Sequence, residues 1–336
     1  MNISNNISLK PFNTFGIDVK SKGFASFSSV DGLKELTASA GNDPLLILGG
    51  GSNILFTEDF AGLVLKNELH GIELVSEDDT YYYVQAQAGE NWHAFVMHCI
   101  DHNYSGVENL SLIPGNVGAS PMQNIGAYGV EIKNIFHSLE AWHLHDMDIH
   151  TFYLGDCEFG YRESVFKKKY KGDYVILNVT FRLPKIPVFN TSYGAIEHEL
   201  ERMNVPELNI RNISQAVINI RRGKLPEPAV TGNAGSFFKN PVIASNQYAS
   251  LQKTYPAIPG YPAANSSIKV AAGWLIEQCG WKGHRKGDAG CYEKQALVLV
   301  NYGNARGSDI YELSQSIIDS VSEKFDILLE REVNII

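Results

Sequence analysis

Apolar residues recur along this chain in two periods, and the periods outline its elements. From Glu90 to His102, Trp92, Phe95, Val96, Cys99 and Ile100 fall at three- and four-residue intervals, which predicts an amphipathic helix with Asn103 as a left-handed stop. Asp31 is placed to cap a short helix carrying Leu33, Leu36 and Ala40. Two further helical patterns are Ile196/Leu200/Met203 and Ile213/Ala216/Val217/Ile220; the second ends in Arg221-Arg222-Gly223, basic last-turn residues and a C′ glycine. Helices are also expected over Ile268–Cys279, closed by Gly280, and around Ile310, Leu313, Ile317 and Val321. Strands are expected at 45–48, 62–66, 81–88 and 296–300, and the alternation over Ala141–His150 predicts one more, with His143 and His145 on one face.

Short strands with few helices in the first half do not make the regular alternation of a doubly wound sheet. Pro184–Pro187 marks a boundary, and a further unit begins near residue 226. At 336 residues the chain is long enough for about two domains, and 44% hydrophobic with 19% charged residues describes an ordinary globular protein. A formal charge of −9 argues against nucleic acid or an anionic membrane as partner. With no long apolar run and no apolar leader, the expectation is a cytoplasmic protein, neither exported nor membrane-spanning. Cys99, Cys157, Cys279 and Cys291 lack C-x-x-C spacing and read as reduced thiols. No carboxylate or cysteine spacing supports a metal at His137, His143 and His145, so strand-face histidines are expected there and no metal. Lys167–Lys169 reads as a solvated basic loop.

One stretch departs from these patterns. Residues 113–129 read I-P-G-N-V-G-A-S-P-M-Q-N-I-G-A-Y-G, and a second cluster, Gly49-Gly50-Gly51-Ser52-Asn53, follows the apolar run 45–48. Such segments bury little apolar area and let the main chain approach a ligand such as a phosphate. Read as residues alone, they leave two possibilities open, a nucleotide cofactor or turn-rich connections. Neither fits G-x-G-x-x-G or G-x-x-x-x-G-K-[ST], and Ser236 in G-N-A-G-S-F-F-K-N-P is no G-x-S-x-G elbow.

I-P-G-N-V-G-A with Q-N-I-G-A-Y-G resembles the flavin-embracing segment of the UDP-N-acetylenolpyruvoylglucosamine reductases. The resemblance continues through L-G-G-G-S-N-I-L, G-Y-R-E-S-V-F, G-N-A-G-S-F-F-K-N-P and the terminal L-E-R-E-V, so it spans nearly the whole chain. It implies an α+β protein: a two-part FAD-binding fold of the vanillyl-alcohol-oxidase type plus a C-terminal α/β substrate-binding domain. The implied divisions are 1–70 and 71–187 for the two FAD-binding subdomains and 188–225 for a tyrosine-loop insertion with connecting helices. They continue with 226–326 for the substrate domain and 327–336 for a closing strand.

The resemblance further implies non-covalent FAD, NADPH as hydride donor, and a nucleotide-sugar substrate whose enolpyruvyl group is reduced in peptidoglycan precursor synthesis, by a monomer. By resemblance Ser236 protonates C2 of that group, Arg162 holds the developing enolate, and Glu332 is the late glutamate of the site. FAD falls to Gly49, Gly50, Gly51, Ser52, Asn53, Pro114, Gly115, Gly118, Ala119, Ser120, Gly126 and Tyr128. Substrate falls to Tyr128, Tyr161, Tyr193, Lys224, Asn240 and Gln295. Taken alone, Arg162 would be read as pairing with Glu163, and Ser236 as a turn residue. Two competing functions are a flavin oxidase using oxygen and a nucleotide-sugar-binding module without flavin. The colour of the protein and its response to NADPH separate them.

Overall fold

The computed structural model describes residues 2–336. The chain forms two compact units, and neither is continuous in sequence. One takes the chain up to Ile7, Ser21–Gly50 and Ala61–Gly223; the other takes Ser8–Lys20, Gly51–Phe60 and Lys224–Ile336. The last segment of the first unit ends at Gly223. Residues 8–20 and 51–60, assigned from sequence to the first FAD-binding subdomain, instead pack with the C-terminal unit. The correction has a physical basis: Ile54 and Leu55 pair in parallel with Asn334 and Ile335 at the far end of the chain, a partnership no local pattern reveals.

In the first unit, a four-stranded sheet runs in the order Ser4–Ser8, Lys20–Phe27, Phe60–Asn67, Leu45–Leu48, the last two parallel. Helix Val30–Ser39 covers it through Leu33 and Leu36, which join Phe27, Leu63 and Leu65 in one core. Its cap is Ser29, whose Oγ accepts the Gly32 amide at 3.1 Å, and not Asp31, which lies in the first turn and there favours the positive end of the helix. A five-stranded antiparallel sheet has the order Asp148–Tyr153, Phe136–His143, Tyr174–Pro184, Tyr81–Gln87, Ile72–Glu77. Helix Trp92–Asp101 packs on it: Trp92 and Phe95 meet Phe181 at ring separations of 5.7 and 4.7 Å. Asn103 takes the left-handed conformation expected of the stop, φ 57°.

Helices Gly194–Arg202 and Ile210–Lys224 complete this unit around Ile196, Leu200, Ala216, Val217 and Ile220. Gly223 lies inside the second helix and is not its stop. Pro226 ends it, because the residue before a proline is driven out of the helical region.

In the second unit, Gly232–Ser236, Val298–Asn301, Ala289–Cys291 and Arg285–Lys286 form an antiparallel sheet, and Val242–Ala244, Ser267–Val270 and Gly260–Pro262 a smaller one. Helix Gly307–Phe325 buries Ile310, Leu313, Ile317 and Val321 as its periodicity predicts. The helix expected over Ile268–Cys279 is shorter, Ala272–Gln278, because Ile268 and Val270 belong to a strand and Asn240 Oδ1 accepts the Ala272 amide at 2.9 Å to start the helix late. All four cysteines are free thiols, and burial pushes those of Cys157 and Cys291 up to about 12.

The run Ala141–His150 is likewise not one strand. It is the tip of a hairpin, with a turn over residues 144–147 in which Met147 has φ 56°. The turn brings Asp146 to within 2.7 Å of His143 Nδ1, so a carboxylate does meet these histidines. Contiguous alternation hid the turn, since no glycine or proline marks it.

Candidate active site

The residues expected to act divide between the two units. In the first, the two glycine clusters pack on each other. A Cβ on Gly50 would lie 2.8 Å from Gly115 Cα and 2.7 Å from Asn116 Oδ1, and one on Gly118 would lie 2.5 Å from Ala88 Cβ. These glycines are needed for close packing of the main chain. The amides of Val117, Gly118, Ala119 and Ser120 are not bare, as the composition suggested; they donate to the carbonyls of Glu90, Ala88, Asn116 and Val117. What this stretch presents instead is Ser120, buried, with an Oγ that has no partner.

The loop carrying Arg162 is fastened to the same stretch. Asn124, fully buried, donates to Gly160 O at 2.9 Å, Ser164 Oγ donates to Met122 O at 2.7 Å, and Arg162 itself donates to Gly126 O at 2.8 Å. The Arg162 guanidinium lies over the Tyr161 ring at 5.5 Å. Glu163 faces Lys168 Nζ at 3.4 Å. Beside them Tyr128 meets Tyr193 edge to face at 5.5 Å. Asn109 holds both tyrosine-bearing loops, donating to Tyr128 O at 3.0 Å and Asn190 O at 2.8 Å.

Arg221, which the sequence reading treats only as a helix-end cation, belongs to this group. Its guanidinium is desolvated, which lowers its pKa; the Tyr128 hydroxyl, hydrogen-bonded to it, opposes the shift, and the like charge of Arg162 adds to it. Burial in turn raises the Tyr128 phenol. Two guanidiniums near enough to feel each other, one of them hydrogen-bonded to Tyr128, make a region of positive potential suited to an anion. Arg221 Nε also donates to Leu112 O at 3.2 Å, while His93 Nδ1 accepts the Leu112 amide at 3.0 Å.

Leu112, Asn124, Tyr128 and Arg162 all have φ between 44° and 59°. Left-handed backbone at a non-glycine residue costs on the order of 1–3 kcal/mol. Here it is held by surrounding hydrogen bonds, and it clusters around the two guanidiniums and Tyr128.

In the second unit, Ser236 ends a strand whose register slips between Asn233 and Ser236 against Val300 and Val298. The bulge is made by Asn233, buried, which donates to Pro226 O at 3.1 Å and Thr231 O at 2.9 Å and accepts the Gly235 amide at 2.9 Å. Gly235 has φ 68°, the conformation the turn needs. Phe237 and Phe238 anchor the segment in the core and leave Ser236 exposed. Glu332 lies beside it, since its amide donates to Phe237 O at 2.8 Å, and Asn53 Nδ2 reaches Glu332 O at 3.4 Å. Glu332 is half-buried where simple strand alternation put it on an open polar face, because only Asn334–Ile335 of that tail is paired strand.

Gly51 takes φ 61° against Phe12 O, and with Ser52 and Asn53 it forms a turn leading to Ile54. Asn240 is engaged in capping a helix, and Gln295 accepts from the Leu297 amide at 3.4 Å. Lys224 is exposed at the end of its helix, Tyr193 is half exposed, and Pro114 is exposed at the start of the glycine stretch.

Comparison with known proteins bears on this arrangement. The family model described as the UDP-N-acetylenolpyruvoylglucosamine reductase C-terminal domain matches residues 227–336, and that of an FAD binding domain matches 22–149. A UDP-N-acetylenolpyruvoylglucosamine reductase of Flavobacterium johnsoniae is 48% identical over 337 residues, covering all of both chains. The chain belongs to the UDP-N-acetylenolpyruvoylglucosamine reductase family. The reductase of Pseudomonas syringae pv. syringae is likewise 48% identical, over all of this chain and 99% of its own. A solved structure titled as the same reductase from Thermus caldophilus shares the fold, with a TM-score of 0.70 at 23% identity and coverage of 100% and 99%.

Membership in this reductase family makes the chain an FAD-dependent oxidoreductase with an FAD-binding part and a C-terminal domain, as the motifs imply. The structure fits the group in one particular respect. Ser120 Oγ, buried without a partner within the glycine stretch, is a polar atom that the bound cofactor would satisfy. No helix among the described residues is long and apolar enough to cross a membrane.

Proposed function

We propose that this chain reduces UDP-N-acetylglucosamine enolpyruvate to UDP-N-acetylmuramate with NADPH, in the cytoplasm and as a monomer, for peptidoglycan precursor synthesis. The observation that carries the reading is its 48% identity, end to end, with reductases of that name. The glycine clusters and Ser120 would hold FAD without a covalent bond, and when bound it would supply the hydride relay between NADPH and C3 of the enolpyruvyl group.

Everything else falls to the chain. Hydride arrival at C3 leaves charge spread over C2 and the carboxylate, so the enzyme has to stabilise an enolate and deliver one proton. Arg162 holds the carboxylate, its guanidinium aimed by the Gly126 carbonyl and the Tyr161 ring. Ser236 gives its hydroxyl proton to C2 and recovers one from solvent. Glu332, beside it, is the second group for the enolate. Tyr193 and Lys224 hold the substrate diphosphate, with Asn240 and Gln295 toward the nucleotide-sugar. Gly49–Asn53 and Ser120 serve the cofactor.

Ser236→Ala tests this by separating the two half-reactions. Reduction by NADPH needs no proton at carbon, so the variant should bleach at the normal rate in stopped flow. Reoxidation by the enolpyruvyl substrate, without oxygen, should slow by at least about 10²-fold, as expected for loss of a positioned acid. Reoxidation at the wild-type rate would remove Ser236 from the chemistry.

A further inference from the structure

The hairpin tip described above has no part in the reductase chemistry, yet it gathers ligating atoms. His143 and His150 lie on the two strands, diagonal across the pairs His143↔Asp148 and Ala141↔His150, with their rings stacked at 5.2 Å. Asp146, in the turn between them, points one oxygen at both imidazoles, 2.7 Å from His143 Nδ1 and 3.8 Å from His150 Nε2. One atom from each of the three residues falls within 4.8 Å of the others.

Two details separate this cluster from a chance grouping of polar side chains. His143 Nδ1 lies 3.1 Å from the Asp146 amide and 2.7 Å from the Asp146 carboxylate. That nitrogen has a single lone pair, so a cation bound at Nδ1 takes the place of the amide hydrogen while the carboxylate oxygen stays within reach of the same ion. On the other side, His150 Nδ1 is 2.9 Å from the Tyr174 hydroxyl. With that nitrogen occupied, Nε2 is the one presented toward Asp146. This is the outer hydrogen bond that orients a ligating histidine. Tyr174 is itself fixed, ring to ring, against Phe152 and Tyr170 at 5.0 and 5.4 Å. His150 and Tyr174 also line a cavity of about 620 Å³ with Asp156 and Lys169.

We propose that His143, Asp146 and His150 bind one borderline divalent cation, Zn²⁺ or Ni²⁺ in class, with water completing its shell. Imidazole with one carboxylate suits those ions; Mg²⁺ and Ca²⁺ prefer all-oxygen sets. Tetrahedral ligands at ~2.1 Å from one such ion stand about 3.4 Å apart, so a pair at the 4.8 Å limit has to close by roughly 1.4 Å. Asp146 already lies within 3.8 Å of both rings, so the closure falls to the two imidazoles, and His143 and His150 are only partly buried on the hairpin. The donors come from one hairpin, so the site is complete within a single chain.

Isothermal titration of ZnCl₂ into the tag-free holoenzyme tests this, with MgCl₂ as a second arm. One Zn²⁺ should bind per chain, and Mg²⁺ should not compete. Asp146→Asn and His150→Gln should each weaken Zn²⁺ binding at least about tenfold. Tyr174→Phe, which leaves all three ligands in place, should weaken it roughly 10-fold to 100-fold, as loss of an orienting group does. Metal-free melting curves of the variants report whether the hairpin still folds, and a double variant Asp146→Asn/His150→Gln that melts like wild type but binds Zn²⁺ equally well would overturn the proposal. So would a wild-type holoenzyme that takes up no Zn²⁺.

Discussion

Asn233 offers the most direct test of how Ser236 is presented. Truncation to alanine removes three hydrogen bonds at once: two donated by Nδ2, to Pro226 O and Thr231 O, and one accepted by Oδ1 from the Gly235 amide. Pro226 is buried, so its carbonyl is left without a partner; Thr231 and Gly235 are half-exposed, and water can replace part of what they lose. An orphaned buried group costs about 1–3 kcal/mol and a replaceable bond about 0.5–1.5 kcal/mol or less, which together give about 2–4 kcal/mol of lost stability. Denaturant unfolding with a fixed m-value reads this number. Asn233→Asp keeps the acceptor for Gly235 but turns a carboxylate toward two carbonyls, and should destabilise at least as much.

The functional consequence is narrower than the structural one. With the bulge loosened, Ser236 loses its fixed direction, so the NADPH half-reaction should be unaffected while the enolpyruvyl half slows. A variant within about 0.5 kcal/mol of wild type and unimpaired in both halves would show that Phe237 and Phe238, not Asn233, set the position of the serine.

Four further outcomes follow. Tyr193→Phe and Lys224→Ala should each raise KM for the nucleotide-sugar by the equivalent of about 1.5–3 kcal/mol, the worth of a charge-assisted contact, in steady-state assays. Acid precipitation should release the yellow chromophore from the polypeptide, since the cofactor is held without a covalent bond. Asp326 ends the last helix in left-handed backbone with φ 54°, and its charge opposes the helix dipole, so Asp326→Gly should add about 1 kcal/mol in thermal melts. Burial, with Arg222 and Arg221 adding to it, depresses the His93 pKa. The unfolded chain therefore binds a proton that the folded one refuses. This stability is complete above about pH 6.5 and is lost as pH falls toward the depressed value, and His93→Gln should flatten that part of the melting-temperature profile.

Periodicity makes the long elements legible in the sequence. Trp92 to Ile100 and Ile310 to Val321 read as helices and are helices, because a single apolar face settles the question for a segment that long. Shorter apolar runs are ambiguous: Ile268–Val270 reads as the start of a helix and is a strand. The residues proposed to carry the chemistry come from the motifs, but what holds them does not. Asn109, Asn124 and Asn233 work through side-chain bonds to carbonyls distant in sequence, and Arg221 looks like any basic residue at a helix end. Left-handed backbone at Leu112, Tyr128 and Arg162 has no local signature either, since none of these residue types favours it.

The route of the chain also bears on how the protein is made. Ile54, Leu55 and Phe56 are buried in the unit that the last hundred or so residues build, and Asn53 meets Glu332 across a sequence separation of 279. On the ribosome, which extends a chain at about 5–20 residues per second, those apolar side chains wait for partners that emerge far later. Residues 334–336 are therefore the lock of the fold: Ile336 O accepts the Thr57 amide at 2.7 Å, and its own amide donates to Leu55 O at 2.9 Å. A nascent chain halted a few residues short would leave a parallel pairing edge open at Ile54–Leu55, an edge that another unfinished chain can take up.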